Sequence, residues 1–499
     1  MTNTSNNGHH AILQRIAYKA MQERGLLPKF ANAVLMELEA IAAPAPKQDN
    51  STDLRNLLWC SIDNNESRDL DQLSYAEAMP DGSIKIYVAV ADVDALVKLN
   101  SELDKHAHHN TCTVYTAAQI FSMLPEKLST DYTSLGLLED RLAIVVELLI
   151  GEDGSVLSSA LYRALVRNMA KLSYGSLADW LDGKAPIPPA VVKVKGLEDN
   201  LRLQDRVAQK MKLLRHEHGA LEFETIHASP VFESGALTDL KQDRSNRAKD
   251  IVADFMIAAN GAVARFLSAQ HFPSLRRVVQ TPKRWDRIVE LAAEKGTKLP
   301  LIPDAKALNQ FLMREKSADP LRFPDISLSV IKLLGGGEYA IELPGGNSEG
   351  HFGLAVKDYT HSTAPNRRYP DLITQRLVKA AVTGKPVPYS DVDLQALAKH
   401  CSVTEDAVKK VERQVNKSAA ALLLQSRIGE VFDSIVTGAS DKGTWVRLLH
   451  LPVEGRLISG HEGLDVGHKL RVKLVRTDVE RGFIDLKRLD KPVLTSPSG

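Results

Sequence analysis

The stretch Cys60-Ser61-Ile62-Asp63-Asn64-Asn65-Glu66-Ser67-Arg68-Asp69-Leu70-Asp71-Gln72 places three Asp and one Glu close together, with a single Arg among them. Carboxylates this close repel one another. A divalent cation is the usual means of holding them, and Mg²⁺ takes oxygen ligands of this kind. Asp69-x-Asp71 at period two points both side chains to one side of an extended segment. A solvated acidic turn has the same composition. A calcium loop of the EF-hand kind fits Asp63, Asn65 and Ser67 at its first three ligand positions. It fails where Arg68 stands for the turn glycine and Ser74 for the bidentate glutamate, and no entering helix is evident.

Working outward, the apolar run Leu57-Leu58-Trp59 precedes the acids, and Ile84–Val90 follows with the alternation of a strand. The chain has 499 residues, which suggests about three domains. Its 44% hydrophobic and 25% charged residues are those of an ordinary soluble globular protein. No apolar run reads as long enough for a membrane span. The start, Met1-Thr2-Asn3-Thr4-Ser5, lacks a charged-then-apolar signal pattern. Cys60, Cys112 and Cys401 lie far apart, so neither a zinc spacing nor a disulfide framework is present. These features read as a cytoplasmic protein. Net charge is +1, so no global field announces nucleic acid, but Lys357 to Arg427 carries twelve Lys/Arg against seven Asp/Glu.

Along the chain, residues 1–8 are polar, and helices are expected over about His10–Arg24 and Lys29–Ile41. Two short helices suit a helix-turn-helix, a docking element for a protein partner, or a hairpin packed on the main body. Ala43-Pro44-Ala45-Pro46 and the polar run to Asp53 form a linker. Ser101 is placed to cap a helix, Ile144–Ile150 reads as a buried strand, and Asp153-Gly154 as a hairpin turn. Trp180 to Pro189 looks like loop. Long helices are expected over Leu197–His218 and Lys249–Gln270, then from Asp371 to Ala381 and Val403 to Gln425. Gly335-Gly336-Gly337 reads as a turn between strands, without the context of a phosphate loop. After Ile428 the texture changes to five short strands, Phe432–Val436, Thr444–Leu449, Gly455–Ile458, Lys469–Val475 and Phe483–Leu486. That count and length fit a five-stranded OB barrel.

Six ordered stretches match one pattern. The acidic run, Ala89-Val90-Ala91-Asp92-Val93, and Val114-Tyr115 with Met123-Leu124-Pro125 and Leu128-Ser129 come first. His218-Gly219-Ala220-Leu221-Glu222-Phe223 and Asp254-Phe255-Met256-Ile257-Ala258-Ala259-Asn260 follow. Thr363-Ala364-Pro365-Asn366-Arg367-Arg368-Tyr369-Pro370-Asp371-Leu372 is the most specific, with Glu412-Arg413 after it. Together they resemble the ribonuclease II/ribonuclease R (RNB) family of 3′-to-5′ exoribonucleases. The resemblance implies an α+β fold: a helical N-terminal segment (1–53), a catalytic domain of mixed sheet and surrounding helices (54–427), an S1-type OB barrel (428–488) and a tail (489–499). The family's usual pair of N-terminal cold-shock barrels has no room in some fifty residues. Gln72 stands where the family has a second adjacent Asp, and Ala253 precedes Asp254 where a pair of acids is common. The His usual after Leu275-Arg276-Arg277-Val278 is absent.

The same resemblance assigns roles. Asp63, Asp69 and Asp71 would hold Mg²⁺, with Mn²⁺ as a substitute, and Gln72 would offer a neutral oxygen beside them. Arg367 would steady the scissile phosphate with its rigid fork, and Arg368 would make a second phosphate or structural contact. Asp371 and Arg376 read as structural. Tyr115 and Phe223 would stack on bases near the 3′ end, with Tyr174 as a further channel aromatic. Asp254 and Glu412 would accept hydrogen bonds from ribose hydroxyls. In the barrel, Lys469, Arg471 and Lys473 alternate on one face near Trp445. Phe432 and Phe483 are the aromatics more suited to its core. The partner implied is single-stranded RNA. A competing reading is an RNA-binding protein whose metal site Gln72 has weakened.

Overall fold

The computed structural model describes residues 6–47, 51–225, 227–233, 236–243, 245–346, 350–440, 443–464 and 466–489. The tail from 490 and parts of the 47–53 linker lie outside these. Two helices open the chain, α1 (Asn6–Glu23) and α2 (Asn32–Ala40). α1 already includes part of the polar start.

A seven-stranded mixed sheet carries the middle of the chain. Its strands are β1 (Thr52–Asp53), β2 (Cys60–Asp63), β3 (Gln72–Ala78), β4 (Ile84–Ala91), β7 (Asp140–Ile150), β8 (Val156–Arg167) and β9 (Ala170–Ser173). Their order is β1-β8-β7-β4-β3-β2-β9, antiparallel except for the outer pairs β1/β8 and β2/β9. Between β4 and β7 lie α3 (Glu102–Asn110) and the small hairpin of β5 (Val114–Tyr115) and β6 (Ile120–Phe121). Ser101 does cap α3, accepting from the Asp104 N–H at 3.3 Å. The β7–β8 turn falls at Asp153-Gly154. Gly154 has φ +89°, and a Cβ there would lie 2.7 Å from the Lys210 backbone, so glycine is required twice over.

Helices cover the sheet. After α4 (Tyr174–Leu181) and α5 (Pro189–Val192) comes the long α6 (Leu197–Glu217). The hairpin β10 (His227–Glu233) and β11 (Ala236–Asp243) leads to α7 (Arg247–Ala269). α7 is long and apolar enough, by length and composition, to cross a membrane, which the sequence reading had not expected. Its apolar side serves the interior instead: Ile251, Phe255, Ala259, Val263 and Leu267 are buried against β2, β4, β7 and β8. Trp180, expected in loop, closes α4, which Ser173 caps through a bond from the Ser176 N–H. Arg202 stacks over its ring at 4.6 Å.

A satellite core gathers between α8 (Trp285–Glu294), α9 (Ala305–Ala318) and α10 (Phe323–Leu334), while the paired strands β12 (Ser274–Val278) and β13 (Glu338–Glu342) send Leu275 and Tyr339 into the main core. The triple glycine follows α10, so it joins a helix to a strand rather than two strands. α11 (Tyr369–Val382) is locked to the end of β4 by buried charge. Arg376 reaches Asp94 at 3.0 Å and Asp104 at 2.8 Å, and Lys379 reaches Asp92 and Asp94 at 2.7 Å. α12 (Asp391–Leu424) is longer than expected because a capping box at Ser390 and Asp393 starts it early.

At about 1.5 Å per residue, α12 runs roughly 50 Å. Its first half lies in the main core, and Ala420, Ala421 and Leu424 enter the core of the closing barrel. That barrel is β14 (Val431–Ser440), β15 (Gly443–Leu448), β16 (Glu454–Ser459), β17 (Lys469–Asp478) and β18 (Phe483–Arg488), closed in the order β14-β15-β16-β18-β17. α1 packs on α12 and on the β10–β11 hairpin. Its Leu13, Ala17, Ala20 and Met21 are fully buried. Burying a side chain such as Leu13 or Met21 contributes about 1.5–3 kcal/mol, so the N-terminal helix is part of the body.

Candidate active site

The acidic run spans the end of β2 and the start of β3. Leu70 is buried and anchors the loop between them: its N–H donates to Ser134 Oγ at 3.0 Å, and its carbonyl accepts from the Leu135 N–H at 2.9 Å. Asp63 closes β2, and its Oδ1 accepts from the Asn64 N–H at 2.7 Å. Burial holds the Asp63 carboxyl above its ordinary value. Asp71 is 3% exposed. Burial pushes its carboxyl up to about 7, against the opposing pull of the Arg367 guanidinium and the Asn366 N–H.

The second wall is the turn before α11. Asp371 sits in the first turn of that helix and accepts from the Ala364 N–H at 2.8 Å, which folds the turn back on itself. Thr113 N–H donates to the Arg367 carbonyl at 3.0 Å, and Asn366 Oδ1 accepts from Thr133 Oγ1 at 2.5 Å. Two groups then face Asp71. The Asn366 N–H donates to Oδ1 at 3.0 Å, and Arg367 Nε lies 3.3 Å from Oδ2. Residues almost three hundred positions apart thus meet as a buried acid and a part-exposed guanidinium. Arg368 is largely buried and pairs with Asp371 at 2.8 Å.

Tyr115 stands over the acids. Its hydroxyl donates to Asp69 Oδ2 at 3.4 Å, its N–H donates to Glu412 Oε1 at 2.9 Å, and it is 42% exposed. Burial pushes the Tyr115 phenol up, and likewise the Glu412 carboxyl. A cavity of about 180 Å³ is lined by Tyr115, Arg367, Arg368, Glu412, Glu405 and Lys409, among others. Glu405 was missed in the sequence. It lies two helical turns before Glu412 on one face of α12, a spacing that was readable. It takes both Arg277 Nη1 and Nη2, at 2.7 and 3.1 Å, which fixes that wall.

The other expected residues lie outside this cavity. Asp254 is buried in an ion pair with Arg215, and burial lifts its carboxyl to about 6. Phe223 packs against the satellite core with Trp285 and Phe311. Tyr174 begins α4 with Lys249 Nζ 5.8 Å above its ring. In the barrel, Lys469, Arg471 and Lys473 do share the exposed face of β17. Trp445 is half-buried on the outward side of β15. Phe483, expected in the barrel core, is 53% exposed, because Ile484 and Leu486 take the inward positions of β18. Phe432 is half-buried under Arg427, whose guanidinium lies 4.8 Å from the ring centroid.

The acids suit a hard cation. Asp71 Oδ2 is buried and makes no hydrogen bond, since Arg367 Nε is in range but out of line. Gln72 Oε1 is also buried without a hydrogen-bond partner. Buried oxygens in that state call for an explanation, and at Asp71 a cation supplies one. Among the described residues, no three of His, Cys, Asp and Glu converge as a ready cage. Mg²⁺ does not need one: it is commonly held by one or two carboxylates, water and substrate phosphate. The donor set fits that mode.

The sequence profile of the RNB domain matches residues 51–384, and that of the RNase II-type exonuclease C-terminal S1 domain matches 430–489. Ribonuclease R of Aquifex aeolicus is 28% identical, with 94% of this chain and 70% of that protein covered. Ribonuclease R 1 of Lactococcus lactis is 26% identical over 93% of this chain and 60% of its own length. Ribonuclease R of Escherichia coli is 28% identical over 85% of this chain and 53% of its own. The chain therefore spans about half to two-thirds of the length of several relatives it matches. Among solved structures, Mycoplasma genitalium RNase R in complex with ribose methylated single-stranded RNA superposes with a TM-score of 0.85 at 22% identity, over 95% of this chain and 77% of that one. Yeast Ssd1, described as a pseudonuclease, shares the fold with a TM-score of 0.67 at 16% identity, over 88% of this chain and 54% of that one. With two-thirds of its length under one profile and its barrel under the companion profile, the chain belongs to the RNB family.

Proposed function

We propose that the chain is a divalent-metal-dependent exoribonuclease that degrades single-stranded RNA from the 3′ end and releases nucleoside 5′-monophosphates. Mg²⁺ is the cation proposed, with Mn²⁺ as a substitute. The observation that carries the reading is the convergence of buried, hydrogen-bond-deficient Asp71 with the Arg367 guanidinium. When bound, the cation supplies water activation, neutralisation of phosphate charge and stabilisation of the leaving oxygen. Asp63, Asp69 and Asp71 hold it, directly or through water, and Gln72 adds a neutral oxygen. Arg367 presents a planar, cationic fork to the scissile phosphate. Tyr115 offers its exposed ring to a terminal base, and Glu412 steadies the backbone that carries the ring while accepting from a ribose hydroxyl. Phe223, Asp254 and Tyr174 serve the RNA path beyond the cavity. The basic face of β17 and Trp445 hold the upstream strand.

A time course on single-stranded RNA labelled at either end, with and without Mg²⁺, tests direction, product and metal together. A 3′ label is expected in mononucleotide from the first time points, a 5′ label in progressively shortened chains, and neither should change in EDTA. Intact RNA at saturating Mg²⁺ and Mn²⁺ would overturn the proposal.

Gln72 supports a second reading, a non-catalytic RNA-binding protein. Its amide adds no charge where an ion must be held, and the likeness to a pseudonuclease means that fold alone does not decide activity. Gln72→Asp separates the two. For an enzyme, the added charge lowers the Mg²⁺ concentration for half-maximal rate by about tenfold and leaves the saturated rate within about tenfold. A rate that rises from nothing favours the binding protein.

A further inference from the structure

Tyr115 is carried by a hairpin too small to hold itself. β5 and β6 have two residues each, and an isolated ribbon of that size is not stable in water. Yet Val114 is 0% and Phe121 4% exposed. What covers them is the N-terminal helix. Ala17, Ala20 and Met21 of α1 form one cluster with Val114 and Phe121, closed on the far side by α12. Tyr18 meets Phe121 edge to face, with ring centroids 6.4 Å apart. Gln14 Nε2 donates to Gln119 Oε1 at 2.8 Å, so the connecting turn is also held from α1. Tyr115 is also bonded to Glu412 on α12 and to Asp69 in the acidic run.

We propose that α1 is the back wall of the 3′-end clamp, and that Tyr18 and Gln14 are positioning residues that act through Tyr115. The proposal takes its ligand, an RNA 3′ end, from the exoribonuclease reading above. It assigns the apolar face of α1 a use inside the site rather than in docking a partner. α1 constrains the back of the hairpin and leaves the ring free to face a base. Loosening α1 lets Tyr115 leave the base while the channel and barrel still grip the upstream strand.

The test uses the full chain in EDTA and a single-stranded RNA with 2-aminopurine as its 3′-terminal base. Stacking on Tyr115 quenches the probe. Tyr115→Ala is expected to lose the quench. The double variant Gln14→Ala/Tyr18→Ala is expected to lose at least half of it, while affinity for a long RNA falls no further than it does in Tyr115→Ala, since at most that one stack is lost. Added to Tyr115→Ala, the same pair should have no further effect, because residues acting through one group are not additive. Tyr18→Phe should restore the quench. Gln14 is exposed and Tyr18 half-buried, so the fold is retained, and unchanged thermal melting verifies this.

Full quenching in the double variant, effects that add to Tyr115→Ala, or no quench in the parent protein would each overturn the proposal. The two readings fail separately. A chain that degrades RNA but whose quench ignores α1 sinks this inference alone. A chain that follows the quench pattern but degrades nothing sinks the nuclease reading alone.

Discussion

Replacing Asp71 with Asn is expected to abolish RNA decay, by about 10³-fold or more, and to leave RNA binding close to that of the parent. The carboxylate is the best-buried of the acids, and its Oδ2 is the oxygen left without a hydrogen bond. An amide keeps the acceptor for the Asn366 N–H but removes the charge that would hold a cation. Loss of metal assistance costs several kcal/mol of transition-state stabilisation, and each 1.36 kcal/mol is tenfold in rate. Rates and filter-binding affinities measured on the same preparation test both halves. Decay within about tenfold of the parent would remove Asp71 from the chemistry.

The same substitution has an opposite effect on stability. An unfolded Asp ionises near 3.8, whereas burial holds Asp71 at about 7 in the metal-free chain. Between those values the folded protein keeps a proton that the unfolded chain releases. Stability therefore falls as pH rises from about 4 to about 7, and the cost is constant above that. Asp71→Asn removes the cost. Its melting temperature in EDTA should exceed the parent's at pH 8, and the difference should vanish towards pH 4. Excess Mg²⁺ should raise the parent's melting temperature and leave the variant's unchanged, because only the parent binds the ion.

Arg367 is the second large effect. Arg367→Ala is expected to lower kcat by about 10²–10³-fold, the scale seen when one fixed donor to developing charge is lost. Arg367→Lys should recover little of it. A lysine keeps a charge but not the planar fork that meets two phosphate oxygens. The guanidinium also opposes the upward shift of the Asp71 carboxyl. Without it that carboxyl rises further in the metal-free chain, so in EDTA the fall of melting temperature with pH should extend to higher pH in Arg367→Ala than in the parent. A variant with parental kcat and an unmoved melting profile would leave Arg367 as a mere support for α11.

Two kinds of information separate cleanly here. The acidic run, the helices of the middle region and the five barrel strands were legible because each is a local pattern: charge density, a 3.6-residue period or alternation with glycine turns. Local pattern misleads where tertiary contacts decide. Trp180 lies in a helix because Ser173 caps it and Arg202 stacks on it. Phe483 faces water because the register of β18 gives Ile484 and Leu486 the inward positions, and a one-residue choice exchanges the faces of a strand. No spacing announced that Asp254 pairs with Arg215. Only packing brings Arg367 beside Asp71, and Tyr18 against Phe121, since contacts between distant stretches depend on how helices and sheet close on one another. By itself the sequence determined which groups were available for chemistry; the tertiary structure decided which of them meet, because a site needs groups within ion-pair and hydrogen-bond range, and chain spacing does not encode that range.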